Sequence, residues 1–243
     1  MPRSRDSKLA RSPLPYHYPE ERLFGDLPED ALKTLASISI PATYPKGAVL
    51  FVEGEAPRGL FVISSGRAKL STSSPEGKKI ILRLAERGQV VGLAGTISGK
   101  PYAVTAESLE EIQANFIPRQ PFLQFLREHG EAALRVAQLL GEVVHATYDD
   151  VRTLGLSRSA EEKLATFLLS WMDQHGPKRG EARVSLTLTH EEIAEMIGAT
   201  RETVTRLLTD FRKRQLIQVE GSNLVIQNRA GLEGLIRSQR PAG

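Results

Sequence analysis

The sequence predicts an α+β chain. A strand-rich front half closes into a β-roll of jelly-roll type, a long amphipathic helix follows, and a C-terminal pair of helices ends in a β-hairpin. Three observations carry this. Between Pro41 and Pro118, glycines and prolines interrupt the text every several residues, leaving only short apolar runs. From Pro121 to Gly155 the apolar spacing changes to alternating threes and fours. Beyond Leu188, two helical segments are separated by a turn of about three residues, each with its own start signal.

A length of 243 residues suits two modest domains better than one. The content of 40% hydrophobic and 25% charged residues is that of an ordinary globular chain. Apolar runs are too short for a membrane span, and the basic, proline-bearing start lacks the apolar stretch of a secretory signal. Residues 1–22 read as a flexible arm, and the cytoplasm is the expected location. The absence of cysteine excludes disulfides, thiolate metal sites, cysteine-ligated iron–sulfur clusters and a cysteine nucleophile. Net charge is +3, a weak lean toward a polyanionic partner. Its distribution says more. Arg201, Arg206, Arg212, Lys213 and Arg214 face only Glu202 and Asp210 on one predicted helix, and Lys178, Arg179 and Arg183 form a second small cluster.

In the front half, "VLFV", "LFVIS", "RAKLSTS", "KIILRL" and "EIQANFI" are strands between turn residues such as Gly54, Gly66 and Gly77. Many short strands with turn chemistry between them make a barrel or jelly roll over residues 23–127. The helix expected over residues 128–156 carries Leu134, Ala137, Gly141, Val144, Tyr148 and Val151 in a narrow stripe. A stripe of that width over about five turns fits a parallel helix pair. Small Ala137 and Gly141 would let two backbones approach closely, so this is read as a dimerisation helix.

Residues 157–243 form the last predicted unit. An amphipathic helix starts near Ser159 and breaks at "GPKRGEARVS". Thr189 and Glu192 match a capping box, so a helix begins at about His190, and Gly198 suits its left-handed exit. Thr200 caps the next helix, which opens with Arg201. Ile193, Ile197 and Val204 face a shared core, and "LIQVEGSNLVIQ" forms a hairpin around Gly221–Asn223. The whole is a winged helix-turn-helix. At 100° per residue, Arg201, Glu202, Thr205 and Arg206 share one arc of the second helix, while Val204, Leu207, Leu208 and Phe211 lie opposite. Such a helix enters the DNA major groove N-terminus first. An arginine can donate two bonds to guanine, and a carboxylate can accept from cytosine. Arg201, Glu202 and Arg206 are therefore the candidate base readers. Thr189, His190, Thr200, Thr205, Thr209, Arg212 and Lys213 are the candidate phosphate contacts, which set register without reading sequence.

Two stretches, "PKGAVLFVEGEAPRGLFVISSGRAKL" and "LTHEEIAEMIGATRETVTRLLTDFRKRQLI", resemble the cyclic-AMP receptor / fumarate–nitrate regulator (CRP/FNR) family of bacterial transcription factors. The likeness runs from about Phe24 to Ile226. It implies a cyclic-nucleotide-binding-like roll, a homodimer, and a TGTGA-like palindromic site read by Arg201, Glu202 and Arg206. RNA polymerase is implied as a partner if the protein activates. The cyclic-AMP binders place a glutamate and an Arg-Ser pair around the nucleotide. In "VVGLAGTISGKPYAVTAES", Gly92 is kept, but Leu93 replaces the glutamate and Pro101 and Tyr102 replace the pair. Lys100 is the one nearby cation in this stretch, and it lacks the arginine fork. Cyclic AMP is therefore not the expected ligand. The expected pocket wall is Gly92, Leu93, Thr96, Ile97, Lys100, Tyr102 and Val104, for an unknown, less charged effector or none.

No histidine lies between His17 and His129, so the roll supplies no imidazole to haem or to a cupin-type metal; haem stays open without a roll ligand. "THEEIA" carries Ala194 where a zinc-protease helix needs its second histidine. No metal site and no catalytic residue are expected. The alternative, a metabolite-binding module or enzyme built on the barrel with an incidental helical domain, finds no gathering of catalytic groups.

Overall fold

The computed structural model describes residues 27–156, 159–176 and 183–237. The expected N-terminal arm, Lys178 and Arg179 lie outside the described residues. The chain divides into two compact units, one running up to Ala160 and taking in Thr189–Val204, the other joining Glu161–Leu188 to the chain from Thr205 onward. Among the described residues, no helix is long and apolar enough to cross a membrane.

The first unit opens with α1 (Glu29–Ser37) and continues through β1 (Ile40–Tyr44), β2 (Val49–Phe51), β3 (Gly59–Ser65), β4 (Ala68–Ser73), β5 (Lys79–Ala85) and β6 (Val90–Val91). Then come α2 (Leu93–Ser98), β7 (Thr105–Ser108), β8 (Ile112–Pro118), α3 (Arg119–Glu128) and the 27-residue α4 (Gly130–Leu156). Two four-stranded antiparallel sheets face each other, in the orders β1-β8-β3-β6 and β2-β7-β4-β5. This is the expected roll.

Period-two alternation on β3 and β8 builds two cores at once. Leu60 and its partner Ile117 face the helices, where Ala31, Leu35, Phe122, Phe125, Val136 and Leu139 close over them. Phe61, Ile63 and Ala114 face the other way, into the space between the sheets, with Phe51, Leu70 and Tyr102. Each large side chain so buried contributes about 1.5–3 kcal/mol. Gly66 turns the chain between β3 and β4 at φ +76°, a conformation that a side chain would strain.

α4 carries two apolar stripes rather than one. Ala132, Val136 and Leu139 pack into the helix-side core. The stripe singled out in the sequence lies elsewhere: Leu134, Val144 and Tyr148 are 61%, 50% and 64% exposed, and Ala137 and Gly141 are exposed between them. The side chain of Val151 lies outside the described residues. α4 begins at Gly130 because His129, at φ −122° and ψ 85°, breaks it from α3.

The second unit holds most of α5 (Ala160–His175), β9 (Arg183–Ser185), β10 (Ile217–Glu220), β11 (Asn223–Ile226) and α8 (Arg229–Arg237). The wing is a three-stranded sheet, β10-β11-β9, with Leu224 opposite Val184. β9 falls in the stretch that the sequence reads as a turn-rich break, since three residues are too few for alternation to register. Trp171 of α5 is buried and donates its indole N–H to the Ser185 carbonyl at 3.0 Å, fastening α5 to the wing. Arg229 clamps Asp173 through two bonds of 2.5 and 2.8 Å, tying α8 to α5.

Those bonds from Arg229, helped by its charge and opposed by burial, hold the Asp173 carboxyl below its usual range. A folded-state pKa below the unfolded one gives stability that is present above the ordinary aspartate range and lost as pH falls through the folded value. Asp173→Asn is therefore expected to melt below wild type at neutral pH, with the gap closing on acidification. Both partners are about half exposed, so the gap should amount to no more than about 1 kcal/mol. Thermal melts across a pH series check this.

Candidate nucleic-acid interface and ligand pocket

The helix-turn-helix is built from α6 (His190–Ile197) and α7 (Arg201–Lys213). Thr189 caps α6 as expected. Its hydroxyl accepts from the Glu192 amide at 3.2 Å, and its own amide donates to Glu192 Oε2 at 2.8 Å. Gly198 ends the helix in the left-handed region at φ +68°, and Ala199 N–H donates back to the Ala194 carbonyl. Thr200 then caps α7, accepting from the Thr203 amide at 3.2 Å.

α7 separates its chemistry by face. Val204 and Phe211 are fully buried and Leu207 and Leu208 nearly so, whereas Arg201, Glu202, Thr205, Arg206, Arg212 and Lys213 are exposed. All three candidate base readers thus lie on one exposed face near the helix start. Its own amide and the Thr200 hydroxyl lower the Glu202 carboxyl's pKa, with a smaller pull from Arg201, which favours the ionised form that can accept from a base. His190 is exposed at the first turn of α6.

Several candidate phosphate contacts already have work to do. The Thr189 hydroxyl lies 3.0 Å from Glu192 Oε2, to which it donates. The Thr209 hydroxyl donates to the Thr205 carbonyl at 2.8 Å and receives Arg212 at 3.5 Å. A hydroxyl has one proton, and a phosphate oxygen accepts only. Thr189 and Thr209 would have to break these bonds to donate to DNA, whereas Arg212 and Lys213 have donors to spare. The Thr200 hydroxyl is similarly shared with Thr203, 3.1 Å away.

The candidate pocket residues are divided between the two cores. Leu93 is buried in the helix-side cluster, with Ile97 packed against it. Tyr102 is buried between the sheets, with Val104 beside it. Thr96 is fully buried and donates to the Gly92 carbonyl at 2.8 Å. Lys100 is exposed. Gly92 sits at φ +83°, and a Cβ there would come within 3.1 Å of the Tyr102 ring and 3.3 Å of Phe51.

Tyr102 is the residue around which this region is organised. Its ring stacks on Phe51 at a centroid distance of 4.1 Å. Its hydroxyl donates to the Gly59 carbonyl at 2.5 Å and lies 3.1 and 3.2 Å from the amides of Arg58 and Gly59, from which it accepts. Beside it, Arg119 Nε donates to the Thr96 carbonyl at 2.9 Å, holding α2 to the start of α3. Sequence reasoning missed the Arg58 and Gly59 amides and Arg119. Backbone donors leave no residue signature, and nothing around Arg119 marks it. Among the described residues, no group of three or more His, Cys, Asp or Glu side chains could hold a metal.

Residues 41–129 match the cyclic nucleotide-binding domain, and residues 162–235 match the Crp-like helix-turn-helix domain. The transcriptional activatory protein AadR of Rhodopseudomonas palustris is 32% identical over 176 residues, covering 72% of this chain and 72% of its own. The chain belongs to the CRP/FNR family of transcription regulators. A CRP-like cAMP-activated global transcriptional regulator of Mycobacterium tuberculosis is 27% identical over 85% of this chain and 92% of its own. The structure of FixK2 from Bradyrhizobium japonicum superposes with a TM-score of 0.70 at 22% identity, over 85% of this chain and all of that one, a likeness of fold. The protein is a DNA-binding transcription regulator of that family.

Removing the Tyr102 hydroxyl would strand buried backbone groups. Tyr102→Phe is expected to cost about 1–3 kcal/mol, the penalty for unpaired buried donors and acceptors. Urea unfolding of the variant beside wild type measures it.

Proposed function

We propose that the protein is a homodimer that reads a palindromic, TGTGA-like site without needing a cyclic nucleotide. The observation that carries the reading is the division of α7: one face wholly committed to packing, the other presenting Arg201, Glu202 and Arg206 to solvent. Arg212 and Lys213 hold phosphates, joined by His190 and Thr205, while Thr189 and Thr200 act first as caps. Residues 23–127 form the sensing roll, 128–156 the dimer helix and 157–243 the DNA-binding domain.

The Mycobacterium tuberculosis relative is cAMP-activated by name. Here Tyr102 and Leu93 are core residues where that chemistry would need polar partners for a phosphate and a ribose. A buried phosphate without a bidentate cation is costly. Any effector is therefore less charged than a nucleotide. The chain has no catalytic role, its working place is the cytoplasm, and RNA polymerase is its partner where it activates; the relative AadR is an activatory protein by name.

The test is a titration of full-length, ligand-free protein against a palindromic TGTGA duplex at fixed salt, with and without cyclic AMP. Tight binding that ignores the nucleotide is expected. Binding that appears only with cyclic AMP would overturn the ligand reading, and no preference over a scrambled duplex would overturn the site. Arg206→Ala should relax discrimination at one base pair by about 1–3 kcal/mol. Lys213→Ala should weaken all duplexes alike and lower the salt slope by about one.

The dimer rests on the exposed stripe of α4. Val144→Asp, placing a carboxylate in the middle of that stripe, is expected to shift sedimentation from dimer toward monomer and to weaken binding to the palindrome more than to a single half-site. A dimer that tolerates the change would move the interface elsewhere.

A further inference from the structure

On β5 the register decides which side chains face the roll interior. Ala68 pairs with Ala85, and these two lie in the inter-sheet core with Leu70. Lys69 pairs with Leu84 and, past a bulge in the register between Leu70 and Ser71, Ser71 pairs with Ile81. Lys69 and Ser71 alternate with Ala68 and Leu70 on β4, so their partners Leu84 and Ile81 belong to the outer face of the sheet. An outer face normally meets water. Yet Ile81 and Leu84 are only 2% and 1% exposed, and neither belongs to the core between the sheets. The helix packed against β5 is α6, and Thr189–Val204 forms one compact unit with the roll.

Charge agrees with this packing. Lys69 and Lys79 both bind Glu107 on the sheet's outer face, at 2.9 and 3.3 Å, leaving one positive charge in excess. α6 presents Glu191, Glu192 and Glu195, and Glu195 is half-buried within the fields of both lysines. Burial raises its carboxyl's pKa, and Lys79 and Lys69 pull it back down. With α6 seated in this way, Arg201 and Glu202 are still exposed. The seat does not mask the reading residues that follow α6 in the chain.

We propose that the outer face of β4 and β5 is a docking seat for α6 that holds the first turn of α7, with Arg201 and Glu202, in a fixed attitude for DNA. The inference rests on the DNA-reading function proposed above. A held segment has already given up the freedom that a loose one must lose at each half-site, so the seat favours binding without touching DNA. It also keeps the Glu195 carboxylate in the field of Lys69 and Lys79 rather than beside a phosphate backbone.

The experiment compares full-length variants with wild type on the same palindromic duplex at one salt concentration. Glu195→Lys adds a positive charge to the DNA-binding segment, which by counterion release alone would tighten binding. The seat requires the opposite, because three cations then crowd the α6–β5 contact. A loss of about tenfold is expected, within the usual range of coupling between sites. Adding Lys79→Glu to the same chain should recover most of the loss, and Lys79→Glu alone should weaken binding. Unchanged or tighter binding by Glu195→Lys would overturn the proposal. So would a double variant as weak as Glu195→Lys alone, since the damage would then lie outside the seat. Failure of wild type to bind any duplex would instead sink the DNA-reading proposal itself, so the two outcomes are distinguishable.

Discussion

Strand β3 must serve two cores at once, and the rest of the roll is arranged around that demand. Its alternate residues Leu60 and Phe61 commit to opposite faces, one under the helices and one between the sheets. The same strand begins at Gly59, whose carbonyl and amide both bond to the hydroxyl of Tyr102. A Cβ at Gly59 would strike the Ile117 carbonyl, so the close approach of β3 to β8 depends on glycine there. Shifting β3 by one residue would exchange the two cores and detach Tyr102 together.

Tyr102 links this constraint to ligand chemistry. An aromatic ring stacked on Phe51 and pinned by three backbone partners is a structural element, not a loose lining residue. A relative that responds to a nucleotide needs polar partners converging on a phosphate. Here the backbone donors at Arg58 and Gly59 converge on a side chain of the protein's own. The family resemblance therefore extends to the fold of the roll while its ligand preference stands as a separate question, decided by a few side chains.

The DNA-binding end shows how a helix can be read from one line of text. Thr189, Glu192, Gly198 and Thr200 are local signals whose partners lie within a few residues, and each does in the structure what its position predicted. The polar arc of α7 was legible for the same reason, since helical period is a local property. β9 was not, because its pairing with β11 joins segments about forty residues apart through only three residues. The second apolar stripe of α4, Ala132, Val136 and Leu139, was also missed; its role depends on Phe122, Phe125 and Leu60 meeting it from other elements.

By itself, the sequence determined the class of the chain, the order of its main parts, the caps and the face of α7 that carries arginine, because all of these follow from short-range spacing and turn chemistry. It also determined what the protein lacks, cysteine above all. Only the tertiary structure decided that Leu93, Thr96 and Tyr102 are core, that the Thr189 and Thr209 hydroxyls are already engaged, and that Ile81 and Leu84 are covered on the outside of a sheet. Burial and hydrogen-bond partnership are properties of atoms brought together from distant positions. No local pattern records which of two apolar faces will find a neighbour.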